Sequence, residues 1–312
     1  MAPLIAFVTR TPPEADALQK LRAAMPAETI LPMRDIADGD FASVDIAIVA
    51  NPDPADLARL PNLKWIHSTW AGVERLVSEL KDSPLPIVRL VDPQLSFNMA
   101  EAVLAWTYYL FRDMPAYARL QRERNWHPLG YRRADQTTVS LLGLGALGTA
   151  ATSRLKEAGF QVAGWSRLPK QLEGVETFSG EDGLMAILAK TDILVCLLPL
   201  THETTGMLAA RHFAALPKGA EFINFARGKI IVTADLVAAL DSGHLKHAVL
   251  DVFETEPLPV EDALWRNPGI TILPHISGPT DPDTAAGIVA ANIAAYRRTG
   301  VLPATVDRTR GY

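Results

Sequence analysis

The chain has 312 residues, roughly two domains at the usual ~150 residues each, and its 48% apolar content can bury two cores, which excludes disorder and low complexity. Thirty Lys and Arg against 35 Asp and Glu leave a net charge of -5 without a basic stripe, so nucleic acid is not an expected partner. One cysteine, Cys196, permits neither an internal disulfide nor a Cys-based metal cluster, and no apolar run nears the ~20 residues of a membrane span, so a soluble, cytoplasmic protein with no metal and no membrane partner is expected.

Short Val- and Ile-rich runs alternate with helix-period segments, the pattern of β-α units around parallel sheets. The opening MAPLIAFVTR has no basic n-region and reads as a strand at 4–8, not as a signal peptide. Further strands are expected at 45–50, 64–67 and 86–91, with helices at 14–24, 55–60 and 73–80. From Asn98, a cap-like residue with Glu101 three positions on, a long apolar helix is expected through Phe111. Pro115 should end or kink it, and a second helix should run to about Arg124. This helical interruption marks the expected boundary between a domain over 1–97 and one over 98–282. An Ala-rich helix at about 283–298, ended by Gly300, closes the chain, and 283–312 is expected to pack back on the first domain. The helix at 98–111 has more bulky apolar residues than one domain face covers, so a homodimer is expected.

The second β-α series begins with a strand at 138–142, followed at once by Gly143-Leu144-Gly145-Ala146-Leu147-Gly148 and a helix at 149–158 closed by Gly159. G-x-G-x-x-G in this setting allows a tight turn, close approach to a pyrophosphate and close helix-strand packing, and the helix start adds donors and a positive dipole end. The competing reading is an ordinary tight β-α turn. The next strand, 161–165, ends about 20 residues past the loop, where NAD enzymes place an acid for the ribose diol. Ser166 and Arg167 stand there instead, with Lys170 nearby. A carboxylate repels a 2′-phosphate and an Arg pairs with it, so NADP is expected, NADPH preferred over NADH. Otherwise Arg167 is a solvated loop residue.

Three polar residues then follow three strands: Arg227 after 221–225, Glu256 after 246–253 (which carries Asp251), and His275 after 270–273 and Pro274. Ligands of open parallel sheets bind outside the carboxyl ends of strands, so these three can converge. An imidazole can protonate a carbonyl oxygen as hydride reaches the carbon, a carboxylate can stabilise the imidazolium, and an Arg can hold a substrate carboxylate. Taken singly, each has a dull alternative as a loop histidine, a turn acid or a surface ion pair.

The runs Leu142-Gly143-Leu144-Gly145, Asn224-Phe225-Ala226-Arg227-Gly228, Leu250-Asp251-Val252-Phe253-Glu254-Thr255-Glu256-Pro257 and Pro274-His275 resemble the D-isomer-specific 2-hydroxyacid dehydrogenases. Trp165-Ser166-Arg167, Leu198-Pro199-Leu200-Thr201, Leu240-Asp241-Ser242-Gly243 and the ending 306–312 are most similar to the glyoxylate/hydroxypyruvate reductase branch. The resemblance implies an α/β fold of two doubly wound parallel-sheet domains, a flavodoxin-like substrate (catalytic) domain and a Rossmann-like dinucleotide-binding domain, assembled as a homodimer.

It further implies His275 as proton donor, Glu256 as its partner, Arg227 as the substrate-orienting cation and Asp251 near the nicotinamide. Trp70 and Ala71-Gly72-Val73 would form the substrate loop, Leu198, Pro199, Thr204 and Ala226 would line the cofactor, and Ser277-Gly278 would face the nicotinamide. Trp70, Glu74, Ala50 and Leu273 depart from the branch's usual residues, which leaves the preferred 2-oxo acid open. The expected function is NADPH-dependent reduction of small 2-oxo acids, glyoxylate to glycolate and hydroxypyruvate to glycerate. The alternatives are an NAD-preferring dehydrogenase of another 2-oxo acid and a nucleotide-sensing module without turnover.

Overall fold

A computed structural model describes residues 3–10 and 15–308. The expected helix start at Glu14 and the terminal residues 309–312 lie outside them. In chain order the first elements are β1 (Leu4–Thr9), α1 (Ala15–Ala24), β2 (Thr29–Pro32), β3 (Val44–Ala50), α2 (Pro54–Ala58), β4 (Trp65–Ser68), α3 (Glu74–Glu79) and β5 (Ile87–Val88). Then come α4 (Pro93–Phe111), α5 (Met114–Arg122), β6 (Thr138–Leu142), α6 (Ala146–Glu157), β7 (Gln161–Ser166), β8 (Glu176–Ser179), α7 (Gly180–Leu188) and β9 (Ile193–Cys196). The chain closes with α8 (Ala210–Ala215), β10 (Ala220–Asn224), α9 (Thr233–Asp241), β11 (Leu245–Leu250), β12 (Ile270–Ile272) and α10 (Pro282–Thr299).

The chain divides into two compact units, Met1–Gln94 with Thr280–Tyr312 and Leu95–Pro279. The first holds a five-stranded parallel sheet in the order β2-β1-β3-β4-β5. The inner strands β1, β3 and β4 are buried on both faces, as parallel strands must be when helices cover both sides. Ile5, Phe7, Ile46 and Ile48 face Leu18 and Leu21 of α1 and Val289 and Ile293 of α10, while Ala6, Val8, Ala47 and Val49 face Leu57 of α2 and Leu76 of α3. Val289 and Ile293 are 0% and 1% exposed, and full burial of such a side chain is worth roughly 1.5 to 3 kcal/mol, so α10 is part of this core.

The second unit holds a seven-stranded parallel sheet in the order β12-β11-β10-β9-β6-β7-β8. The direction of winding reverses between β6 and β9, the topological switch where open α/β sheets bind ligands. One row of partners crosses the sheet: Trp165, Leu142, Cys196, Asn224, Leu250 and Ile272. These are last or nearly last in their strands, so the loops leaving the strands all emerge on one common edge.

Several elements differ from their sequence-based bounds. The long helix begins at Pro93, not Asn98, because Asp92 Oδ1 accepts the Gln94 N–H at 2.8 Å and Pro93 suits a first helical turn. Asn98 lies inside the helix, where its amide donates to Pro279 O. The break before Pro115 falls at Asp113, left-handed at φ 55, and α5 starts at Met114 with the proline in its first turn. The strand expected over 246–253 stops at Leu250, so Asp251 sits beyond it and its carboxylate is free to serve the neighbouring loop. β2 and β8 are short edge strands of four residues each, too brief to give a period.

Candidate active site

β6 ends at Leu142, the glycine loop turns, and α6 begins at Ala146, so Gly148 is already helical. A Cβ on Gly148 would lie 1.9 Å from Gly143 O, so only glycine allows the helix to start this close to the strand. The amides of Gly145, Ala146 and Leu147 have no acceptor among the described residues, and around Gly145 the space is open. That is a cradle of donors at the switch point, suited to a pyrophosphate. Lys170 Nζ donates to Leu144 O, which draws a cation onto the loop. Ser166 ends β7 with its hydroxyl on Leu168 O at 2.7 Å, and Arg167 pairs with Glu203 on the surface. On the other side of the switch Leu198 is buried, and the Thr204 hydroxyl ties Pro199 O at 2.7 Å and the Thr201 amide at 2.8 Å, which fixes the turn after β9.

After β10, the buried Asn224 shapes the next turn: its Oδ1 accepts Ala226 N–H at 3.1 Å and its Nδ2 donates to Arg227 O at 3.2 Å. Gly228 then passes so close to the 253–254 backbone that a Cβ would lie 2.0 Å from Phe253 C. This approach brings the Arg227 turn against the loop that carries Glu256.

Glu256 is held at both oxygens. Oε1 accepts Phe253 N–H at 2.8 Å, and Oε2 accepts His275 Nδ1–H at 2.7 Å. With Nδ1 donating to a carboxylate, Nε2 is left for a ligand. The Glu256 bond raises the His275 pKa above the ordinary imidazole value against the opposing effect of burial. Burial works to raise the Glu256 carboxyl, but the bonds from His275 and Phe253 prevail and hold it below its usual value. Arg227 is close enough to act on both, lowering each.

His275 sits at φ 55, a left-handed conformation that costs a non-glycine residue about 1 to 2 kcal/mol. Asp251, 2% exposed, holds it there. Its backbone oxygen accepts His275 N–H at 3.0 Å, and its carboxylate accepts Ile276 N–H at 2.7 Å and Ser277 N–H at 2.9 Å. A charged acceptor on two successive amides makes this turn rigid. Ser277 Oγ is buried with no hydrogen-bond partner among the described residues, so it can bond an amide or carbonyl. Gly278, beside it, is partly buried.

Arg227, Asp251, Glu256, His275, Ser277 and Gly278 thus meet at the carboxyl edge of the seven-stranded sheet, with Ala226 buried among them. Trp70 to Val73 lie in the first unit, after the carboxyl end of β4: Trp70 is 45% exposed, Val73 is buried, and the amides of Ala71, Gly72 and Val73 have no acceptor among the described residues. Sequence reasoning missed the supporting roles of Asn224 and Asp251. An Asn closing an apolar run before a turn was the available signal for the first.

Residues 104–277 match the family model described as D-isomer specific 2-hydroxyacid dehydrogenase, NAD binding domain. The chain is 37% identical over 301 residues, 95% of each protein, to glyoxylate/hydroxypyruvate reductase A of Yersinia enterocolitica. A D-isomer specific 2-hydroxyacid dehydrogenase of Xanthobacter autotrophicus Py2, solved with NADPH and MES, superposes over 100% of both chains with a TM-score of 0.92 and 41% identity. An NADPH-dependent glyoxylate/hydroxypyruvate reductase of Sinorhizobium meliloti, solved with NADP and sulfate, gives a TM-score of 0.92 and 35% identity over 100% of both chains.

Proposed function

The chain belongs to the D-isomer specific 2-hydroxyacid dehydrogenases, and from that premise we propose that it is an oxidoreductase that uses NADPH to reduce small 2-oxo acids, glyoxylate to glycolate and hydroxypyruvate to glycerate. One observation carries the reading: His275 is bonded through Nδ1 to Glu256 with Nε2 left over, on a strained turn at the ligand-binding edge. A nucleotide sensor has no use for such a dyad.

Bound NADPH supplies the hydride. Gly143, Gly145, Ala146, Leu147 and Gly148 hold its pyrophosphate, and Ser166, Arg167 and Lys170 receive the 2′-phosphate. Leu198, Pro199, Thr204 and Ala226 line the cofactor. Asp251, Ser277 and Gly278 stand on the nicotinamide side, where the Ser277 hydroxyl, without a partner among the described residues, fits a carboxamide. His275 Nε2 gives a proton to the substrate carbonyl oxygen, Glu256 stabilises the imidazolium, and Arg227 orients the 2-oxo acid. The amides of Ala71, Gly72 and Val73 receive the carboxylate, with Trp70 beside them.

The first unit is the substrate domain and the second the dinucleotide-binding domain. The working state is a homodimer. Support comes from α5, which buries none of its residues, and from Met114, Tyr117, Trp126 and Tyr131, which are 48%, 43%, 100% and 82% exposed. The compartment is the reducing cytoplasm, in keeping with a lone buried cysteine. Among the described residues no helix is long and apolar enough to cross a membrane.

The test is loss of NADPH absorbance with a panel of small 2-oxo acids. Turnover of glyoxylate and hydroxypyruvate is expected, and no oxidation with any of them overturns the reading. Sedimentation at micromolar concentration should show a dimer.

A further inference from the structure

One buried titratable group has no part in the chemistry above. His67 lies on β4 in the first unit and is fully buried. A carbonyl oxygen can only accept, so the contact of Nδ1 with Ser68 O at 2.9 Å puts the ring proton on Nδ1. Nε2 is then an acceptor, and Asn292 on α10 donates to it through Nδ2 at 2.9 Å. Burial lowers the imidazole pKa to about 4 against the opposing effect of the Ser68 bond, so at neutral pH the ring is uncharged. Its ring lies beside that of Trp65 and its partners on the neighbouring strands are Ile48 and Val88, among which an aliphatic side chain would be cheaper to bury.

Beyond His67 the backbone is tied at each step. Thr69 N–H donates to Val49 O at 2.9 Å. Ser68 Oγ accepts Trp70 N–H at 3.0 Å and donates to Trp70 O at 3.1 Å. Trp70 O also accepts Leu90 N–H at 3.2 Å. The ties stop there, and the amides of Ala71, Gly72 and Val73 have no acceptor among the described residues. A saturated, rigid turn leading into three unsatisfied donors is the arrangement a preorganised carboxylate receptor requires.

We propose that His67 and Asn292 are a positioning pair for the substrate carboxylate: Asn292 fixes the ring and its tautomer, the ring fixes the Ser68 carbonyl, and the turn this sets presents the amides of Ala71 to Val73. The proposal rests on the assignment of that loop to the 2-oxo acid. It makes α10, from the far end of the chain, a determinant of substrate affinity.

The test is the affinity of the NADPH-loaded protein for oxamate, an unreactive analogue of a 2-oxo acid, by calorimetry, together with KM and kcat for glyoxylate. Asn292→Leu, a change at a half-buried helix position, should weaken oxamate and raise KM by about 5- to 10-fold, the worth of one hydrogen bond, with kcat and NADPH affinity within about two-fold. The amide nitrogen of Asn falls near the place of ring Nδ1, and that of Gln near Nε2. His67→Asn should therefore keep most of the oxamate affinity, and His67→Gln should lose as much as Asn292→Leu.

Lowered melting temperatures with unchanged oxamate affinity in Asn292→Leu and His67→Gln mean a purely structural role and overturn the proposal. Equal losses in His67→Asn and His67→Gln overturn it as well, and a wild-type protein that does not bind oxamate removes its premise and the proposal with it. A protein that binds oxamate with the expected order of variants but reduces no 2-oxo acid overturns the proposed reaction and leaves the positioning pair standing.

Discussion

At the amino ends of β10 and β11 lies a charge cluster built on the buried Glu221 and closed by its own ion pairs, whereas past their carboxyl ends the same two strands lead to the partly exposed Arg227 and Glu256. Glu221, 1% exposed, accepts from Arg132 at 3.0 Å, and Lys246 bonds Asp113 beside it. Burial raises the Glu221 carboxyl, against the pull of Arg132 and Lys246. His247 is likewise enclosed: Nε2 meets Thr271 Oγ1 at 2.8 Å, the Tyr109 hydroxyl meets the same oxygen at 3.0 Å, and burial, helped by Arg119 and Lys246, lowers the imidazole pKa to about 4. At the other end the His275 pKa is raised and its side chain is 49% exposed. Both ends contain histidine, carboxylate and arginine. What separates a structural cluster from a reactive one is whether a donor or acceptor is left for something outside the chain.

The largest effect should come from His275→Ala, which removes the proposed proton donor: kcat should fall about 10²- to 10⁴-fold with melting temperature nearly unchanged. A variant within a few-fold of wild type would put the proton elsewhere. Ser166→Asp with Arg167→Ala should invert a cofactor preference of about 10- to 100-fold in kcat/KM, since the new carboxylate accepts from a ribose diol and repels a 2′-phosphate. If the double variant still prefers NADPH, Arg167 does no more than pair with Glu203.

Arg227→Lys keeps the charge and loses the planar fork, so kcat/KM for 2-oxo acids should drop about 10-fold or more while NADPH affinity holds. Normal kinetics would remove Arg227 from the substrate. Glu256→Gln is milder and reads out in pH. A raised His275 pKa keeps the donor protonated to higher pH, and losing the carboxylate lowers that pKa, so the alkaline limb of reductive kcat/KM should move to lower pH. An unmoved limb would break the dyad.

Smallest in activity, and largest in stability, is Glu221→Gln: kinetics within about two-fold, and a melting temperature lower by on the order of 10 °C, as expected when removing one partner leaves the Arg132 charge uncompensated at a cost of about 3 kcal/mol. Loss of activity in the folded variant would erase the contrast between the two ends.

The glycine loop was legible because a strand, a spaced triplet of glycines and a helix signal fall in one short window. The convergence of Arg227, Glu256 and His275 on one edge was legible because each comes after an apolar run that reads clearly as a strand. Three features were not. The left-handed backbone of His275 is imposed by Asp251, whose amide partners Ile276 and Ser277 lie far along the chain. The start of α4 at Pro93 was hidden because the Asp92 cap signal stands before residues with weak helical periodicity, while Asn98 and Glu101 imitate a capping box inside the helix. The His67–Asn292 contact joins residues from opposite ends of the chain, which no local pattern announces.

The row of paired residues from Trp165 through Leu142, Cys196, Asn224 and Leu250 to Ile272 has a consequence for how this chain tolerates insertions and deletions. Adding one residue before Asn224 within β10 would slide the strand by about 3.3 Å and turn its core side chains to the opposite face, so both packing and the Arg227 turn would fail together. Adding one or more residues well beyond the row, in the loop between Glu256 and β12, would lengthen a connection at a cost that grows only with the logarithm of its length. The ladder therefore separates the chain into stretches where length is fixed to the residue and stretches where it is nearly free, and new substrate preferences can be built in the second kind without disturbing the first.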